Sequence, residues 1–435
     1  MEWISSIAFV TVLIGAGYTF YKSTSKIRRN ILVGKDIDRQ DNKSLRWKTM
    51  WKVAFGQSKM QARPIPAFLH LIVYVGFILI NIEVLEIVID GIFGTHRVFA
   101  EYLGSFYNVV IGFFEILAVL VIVACIVFWY RRNVMRLERF QKPEMKGWAF
   151  KDANNILYIE ITLMCALLIM NSVEANFAGG NGFVISNILA PLFSGMEPPT
   201  LHFLERFFWW LHILGILAFL NYLPYSKHFH IILAFPNTWY SNLNAKGRFD
   251  NMQSVTDEVK MMMDPNVDPF AAPPEGAEMK EPERFGAKDV NDLNWVNVMN
   301  AYTCTECGRC TDMCPANKTG KLLSPRKIMM DTRDRAEEIG ANIDKNGAFK
   351  DDGKFLLDTY ISREELWACT SCNACTEACP VNIDPLSIIM QMRQYLVMEE
   401  SAAPQELNIM MTNVENNGAP WQFNQMDRLN WKDEL

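Results

Sequence analysis

Eight of the ten cysteines fall in two runs of the same spacing. The first is Cys304, Cys307, Cys310 and Cys314, followed by Pro315; the second is Cys369, Cys372, Cys375 and Cys379, followed by Pro380. Two-residue gaps let three thiolates curl around the corners of one cubane, and the proline stops a helix from carrying the fourth sulfur away. The chemistry this suits is iron–sulfur binding. Paired C-x-x-C units also hold zinc, but zinc takes four ligands and leaves the triplet-plus-one spacing unexplained. Disulfides belong to oxidising compartments, whereas the charge pattern places this segment in the cytoplasm. The spacing predicts two [4Fe–4S] clusters.

The runs are similar to those of bacterial two-cluster ferredoxins. That resemblance implies an exchange of the fourth ligand between runs. Cys304, Cys307, Cys310 and Cys379 then hold one cluster, and Cys369, Cys372, Cys375 and Cys314 the other. Cys125 and Cys165 sit inside apolar runs and read as packing residues.

The elements that position these residues are of two kinds. Five stretches, near residues 3–21, 65–89, 106–130, 156–173 and 203–223, are long and apolar enough to span a bilayer, which takes about 20 residues. The first has no basic leading segment and no clear small-residue cleavage site, so it reads as a retained helix. Basic residues crowd alternate connections: Lys22, Lys26, Arg28 and Arg29 open a run reaching Lys59 and Arg63, and Arg131, Arg132, Arg136 and Arg139 follow the third span. The other connections hold Arg97 and, between Asn171 and Thr200, no Lys or Arg. The positive-inside rule then puts the N-terminus outside and the cysteine runs in the cytoplasm of a bacterial cytoplasmic membrane. A net charge of −6 gives no ground for a nucleic-acid partner.

The expected fold class is all-α, a five-helix transmembrane bundle followed by a cytoplasmic α-helical ferredoxin domain. Residues 1–235 form the membrane domain and 236–285 a linker rich in proline and acid. Residues 286–400 form the ferredoxin domain and 401–435 a partner-docking tail. Trp47, Trp51 and Phe55 at four-residue spacing predict an amphipathic surface helix over 45–60. Ser324-Pro325 opens a helix to about Ile339, Ser362 and Glu365 cap another, and a third covers 384–398.

Ionisable groups inside a membrane are costly and mark function. His70 lies about one turn inside the second span, His212 is midway along the fifth, and His228 and His230 follow its end. His70 begins an inward-to-outward helix and His230 follows an outward-to-inward one, so both sit at one cytoplasmic depth. Two such imidazoles ligate a b-type haem axially; His212 or His228 in place of His230 stays open. Glu83, Glu86, Glu115 and Glu160 also lie at membrane depth. They either line packed interfaces or deliver protons to a quinone, with Arg63 and His70 as rival lining groups.

The five-span layout and the run Pro224-Tyr225-Ser226-Lys227-His228-Phe229-His230 resemble the gamma subunit of respiratory nitrate reductase. The resemblance implies that His230 is the cytoplasmic-side haem ligand and that His212 has the spacing of a second. That family's second helix carries two histidines ten residues apart, whereas Ile80 stands in the second position here. The expectation is one haem b on His70 and His230, with a second left open.

The helical setting of the cysteines resembles succinate dehydrogenase iron–sulfur subunits and the HdrC-type ferredoxin component of heterodisulfide reductase. Phe285-Gly286-Ala287-Lys288-Asp289-Val290, the residues around Cys304–Cys310, and Pro315-Ala316-Asn317-Lys318-Thr319-Gly320-Lys321 resemble the membrane oxidoreductase that passes electrons from electron-transfer flavoprotein to menaquinone. That family continues into CCG domains, which the sequence lacks after Asn417-Gly418-Ala419-Pro420-Trp421; a separate CCG-domain subunit, like the HdrB-type component of heterodisulfide reductase, is expected to supply them. The resemblance implies an electron-transfer subunit of a quinone-linked oxidoreductase, with flavoprotein, the CCG-domain protein, lipid and menaquinone as partners. Two alternatives stay open. The same redox chain could serve a lactate, glycerol-3-phosphate or heterodisulfide-type donor, or run from menaquinol; or the protein is a zinc or redox-sensing membrane scaffold. No nucleophile, phosphate loop or dinucleotide fingerprint is present, so no catalytic residue is assigned.

Overall fold

The computed structural model describes residues 2–179, 181–249, 251–266 and 284–433. Residues 267–283, the proline- and acid-rich centre of the expected linker, lie outside them. The membrane part is built from α1 (Glu2–Ile31), α2 (Lys43–Met50), α3 (Pro64–Phe93), α4 (Ser105–Asn133), α5 (Trp148–Glu174) and α6 (Pro198–Tyr222). All but α2 are long and apolar enough to cross a membrane. They close a ring in the order α1, α3, α4, α5, α6 and back to α1. Prolines open α3 and α6, where the first turn has no use for the missing N–H. Gly94, at φ 72°, ends α3 in the left-handed conformation. Trp3, Ile7, Ile14, Tyr18 and Tyr21 of α1 are exposed, an apolar face suited to lipid.

α1 runs ten residues beyond Tyr21 because its last turns pack on the ferredoxin part rather than ending in solvent. The surface helix expected over 45–60 is shorter. α2 passes into a π turn at Trp51–Phe55, Gly56 closes it, and a 3-10 turn covers Ser58–Ala62. Trp47 and Trp51 are exposed as expected, while Phe55 packs on Phe235, ring centres 4.5 Å apart. That second aromatic belongs to α7 (His230–Trp239), which follows α6.

The ferredoxin part comprises α8 (Trp295–Thr303), α9 (Arg309–Met313), α10 (Pro325–Asn346), α11 (Arg363–Trp367), α12 (Ala374–Ala378) and α13 (Pro385–Met398). Ser324 caps α10 by accepting from the Lys327 N–H, and Ser362 and Glu365 form a capping box on α11. α10 continues past Ile339 to Asn346 because Asp344, on its next turn, is held by Lys26 and Arg29 of α1. Among the described residues, β-pairing is limited to isolated bridges, one of which joins Lys35 to Asn294 across the two parts.

The two parts share one core. The ferredoxin part sits on the end of the bundle that carries the basic connections, and those residues make the contact. Arg326, 0% exposed, donates to the Arg139 carbonyl at 2.6 Å and to Glu144 at 2.7 Å. Gly340 lies so close to Asn30 of α1 that a Cβ there would collide with the Asn30 amide. The Asn30 amide in turn donates to the Tyr302 hydroxyl at 3.0 Å. Charge that read only as topology in the sequence is therefore also the docking chemistry.

Candidate functional site

The eight cysteines gather in two sets. One cavity is lined by Cys304, Cys307, Cys310 and Cys379; a second is lined by Cys314, Cys369, Cys372 and Cys375. The backbone explains the grouping. In each run the second and fourth residues after the first cysteine are left-handed: Glu306 and Gly308 at φ 54° and 72°, Ser371 and Asn373 at 56° and 59°. These turns wrap three cysteines around a centre, and α9 and α12, each carrying the third cysteine, pack against one another. The fourth cysteine caps each short helix on the far side and lines the opposite cavity. Backbone N–H groups of Ser371 and Ile383 donate to Cys369 Sγ and Cys379 Sγ at 3.4 and 3.3 Å. Among the described residues no three His, Cys, Asp or Glu side chains converge on a single-ion position; the sulfurs ring a volume, as a cubane requires.

Burial pushes the Cys304 and Cys375 thiols up to about 12 and Cys379 to about 11. A raised thiol pKa means that, without iron, these groups keep their protons at neutral pH. Filling the sites must displace those protons. Reconstitution of iron-depleted protein with iron and sulfide is therefore expected to go further as pH rises from about 7 to 9. Cluster absorbance against pH reads this out, and a falling yield would contradict it.

The two cavities differ in outlook. Each set has two buried cysteines, but Cys372 of the second is exposed, whereas no cysteine lining the cavity of the Cys304 set is. Arg309 lines that cavity and donates weakly, at 3.4 Å, to the Lys59 carbonyl. The Lys59 ammonium donates to the Thr376 carbonyl and the Asn382 side chain, both at 3.1 Å, beside Cys379. Arg63 is engaged by Asp312 of α9.

The same connection carries Gln57, whose side-chain oxygen is 3.1 Å from His70 Nδ1. His230 Nδ1 lies 3.0 Å from the Lys227 carbonyl. A carbonyl only accepts, so Nδ1 carries the hydrogen and Nε2 keeps its lone pair, the arrangement found for metal-ligating histidines. The His70 and His230 ring centres are 6.4 Å apart. Two imidazoles on opposite sides of one iron, each bound at about 2 Å, place their ring centres roughly 6 Å apart. The pair fits. His228 stands 5.5 Å from His230 and edge-on to it, and packs against Phe219 at 5.2 Å. Burial holds both His228 and His230 below the ordinary imidazole range, which keeps them neutral as ligands must be. His212 is 1% exposed; its Nδ1 faces the Leu163 carbonyl at 2.9 Å and its Nε2 has no hydrogen-bond partner among the described residues.

Two of the four expected carboxylates, Glu86 and Glu115, join one buried network toward the other end of the bundle, around a residue not assigned to it from sequence. Arg97 grips Glu174 through two bonds of 2.8 and 2.6 Å and donates to Tyr107 and Asn171. Tyr107 donates to Glu86 at 2.7 Å, and Asn171 to Glu115 at 3.2 Å. Glu115 also accepts the N–H groups of Val184, Ile185 and Ser186. Glu83, 4% exposed and one turn before Glu86, keeps one oxygen without a hydrogen-bond partner among the described residues. Glu160 is buried on α5, one turn before Leu163, outside these bonds.

Residues 298–383 match the protein-family model described as 4Fe-4S dicluster domain. The chain carries such a domain. Over its whole length it is 27% identical to a "probable iron-sulfur-binding oxidoreductase FadF" of Bacillus subtilis, covering 99% of this chain and 61% of that one. It is 24% identical to an "EtfAB:quinone oxidoreductase" of Syntrophomonas wolfei, covering 100% and 60%. The chain thus spans about three-fifths of the length of these two relatives. A stretch of 112 residues is 29% identical to a component of the ferredoxin:CoB-CoM heterodisulfide reductase of Methanosarcina mazei, 26% of this chain and 55% of that one. No solved structure matches the chain. These relatives indicate an iron–sulfur electron-transfer protein of the oxidoreductase kind, here joined to five membrane-length helices.

Proposed function

We propose that this chain is the electron-transfer subunit of a quinone-linked oxidoreductase in a bacterial cytoplasmic membrane, connecting a soluble cytoplasmic donor to menaquinone. One juxtaposition carries the reading: the cavity of the Cys304 set lies against the segment that holds His70, through Arg309, Lys59 and Gln57. Cys304, Cys307, Cys310 and Cys379 would hold one [4Fe–4S] cluster, Cys314, Cys369, Cys372 and Cys375 the other, and His70 with His230 one haem b. When bound, these groups exchange single electrons, whereas flavins and quinones exchange two. In this reading the order of the sites follows from what lies beside each. The set with the exposed Cys372 would be where a donor docks; the Cys304 set, touching the Lys59 connection through Arg309, would pass electrons toward His70 and His230. Neither set holds a group for substrate chemistry, which belongs to a partner.

The name of the Syntrophomonas relative supports electron-transfer flavoprotein as the donor; a separate CCG-domain protein would carry its electrons to this chain. The heterodisulfide reductase likeness supports a second reading with a thiol or disulfide donor on the same redox chain. The basic connections support a cytoplasmic position for the cysteine sets and an outside N-terminus. Glu83, Glu86 and Glu115 form the group suited to carrying protons for quinone turnover, because Glu83 lacks a full set of partners.

The deciding experiment is an optical and EPR redox titration of the detergent-purified complex with iron, zinc and haem quantified. A reducible b-type haem with about eight non-haem irons per chain is expected. Zinc in place of iron and no haem band would overturn the reading.

A further inference from the structure

One buried side chain of the membrane part reaches into the loop of the Cys304 set. Glu306 stands between Cys304 and Cys307 and is 3% exposed. Its carboxylate accepts from Arg333 of α10 at 2.8 Å and from the Lys227 ammonium. Lys227 lies in the turn between α6 and α7, and its side chain is 9% exposed. The same ammonium donates to the Ala149 carbonyl at 2.6 Å and faces Asp152 at 3.8 Å. The Lys227 backbone is fixed as well: its N–H donates to Asp152 at 3.1 Å, and its carbonyl accepts from His230 at 3.0 Å.

We propose that Lys227 is a charge-compensating residue through which the membrane part raises the reduction potential of the cluster in the Cys304 set. The inference rests on the cluster assignment given above, but not on the haem. Accepting an electron adds one negative charge to a cluster and changes no bond. A buried carboxylate in the ligand loop opposes that step, and a buried cation beside it favours the step, since charges interact strongly where water is excluded. Arg333 comes from the ferredoxin part itself; Lys227 is present only when that part is seated on the bundle. The membrane part thus contributes directly to the potential of this centre.

A purely structural ion pair would change stability and leave potentials alone, so potentials discriminate. EPR-monitored titrations of the full-length protein in its complex would compare the native chain with Lys227→Met, Lys227→Arg, Glu306→Gln and the Lys227→Met/Glu306→Gln pair. Lys227→Met is expected to lower the midpoint of one cluster only, while Lys227→Arg stays near the native value. Glu306→Gln is expected to raise it, and the double variant to return toward native, the signature of direct coupling. Both clusters present with unshifted midpoints in Lys227→Met, or equal shifts in both, overturn the proposal. If Lys227→Met does not accumulate, an unshifted midpoint in Glu306→Gln overturns it. Absence of cluster signals in the native chain overturns the cluster assignment itself, and this inference with it.

Discussion

Replacing Cys314 by serine is expected to abolish the cluster of the second cysteine run while sparing that of the first. In sequence Cys314 belongs with Cys304, Cys307 and Cys310; in space it lines the cavity of Cys369, Cys372 and Cys375. A serine hydroxyl is nearly isosteric with the thiol but is a much harder and weaker ligand for an iron–sulfur centre. The position tolerates the exchange sterically, since Cys314 occupies the boundary between α9 and the short helix opened by Pro315. Non-haem iron should therefore fall from about eight to about four per chain, with one of two EPR signals lost. Cys379→Ser should remove the other signal. Loss of the first-run cluster alone in Cys314→Ser would refute the crossed pairing, and loss of both would show that the two cavities do not form independently.

Much of this geometry was legible because its signals are local. Cysteine spacing fixes the left-handed turns that follow each first cysteine, and Glu306/Ser371 and Gly308/Asn373 fall at equivalent places for that reason. The capping residues Ser324 and Ser362 marked helix starts correctly. Helix ends were harder to read. α1 and α10 both run long because each stabilises the other's last turns through Lys26, Arg29 and Asp344, a contact between residues far apart in the chain. The same limit hid the role of Gln57. A glutamine in a basic connection carries no mark of a histidine partner thirteen residues on, within a turn whose course the sequence does not give. Arg97 stood out only as a lone charge on the sparsely charged side. Its partner Glu174, which ends α5, carried no mark in the sequence; the fold makes the two the centre of a buried network. Lys227 was visible in the run before His230, but its meaning depends on Glu306, which the ferredoxin part brings to it.

Replacing His70 by alanine is expected to eliminate the b-type haem spectrum with both cluster signals retained. His70 is on the first turns of α3, whose buried residues lie mostly further along, from Gly76 to Gly91, so removing the imidazole should leave the helix in place. His230→Ala should have the same effect, because a haem held by both imidazoles, whose ring centres are 6.4 Å apart, would lose one of its two ligands. A haem lost only on substitution of His228 or His212 would move the site and break the fit. Gln57→Leu separates ligation from tuning. It removes the acceptor at His70 Nδ1 but leaves Nε2, so haem should remain, with its midpoint raised as the imidazole becomes a poorer electron donor. An unchanged spectrum in His70→Ala would sink that ligand. It would also leave the contact of the Cys304 set with this end of the bundle without a haem to serve. The Gln57–Arg63 connection matters to electron transfer only if what it touches on both sides is redox-active.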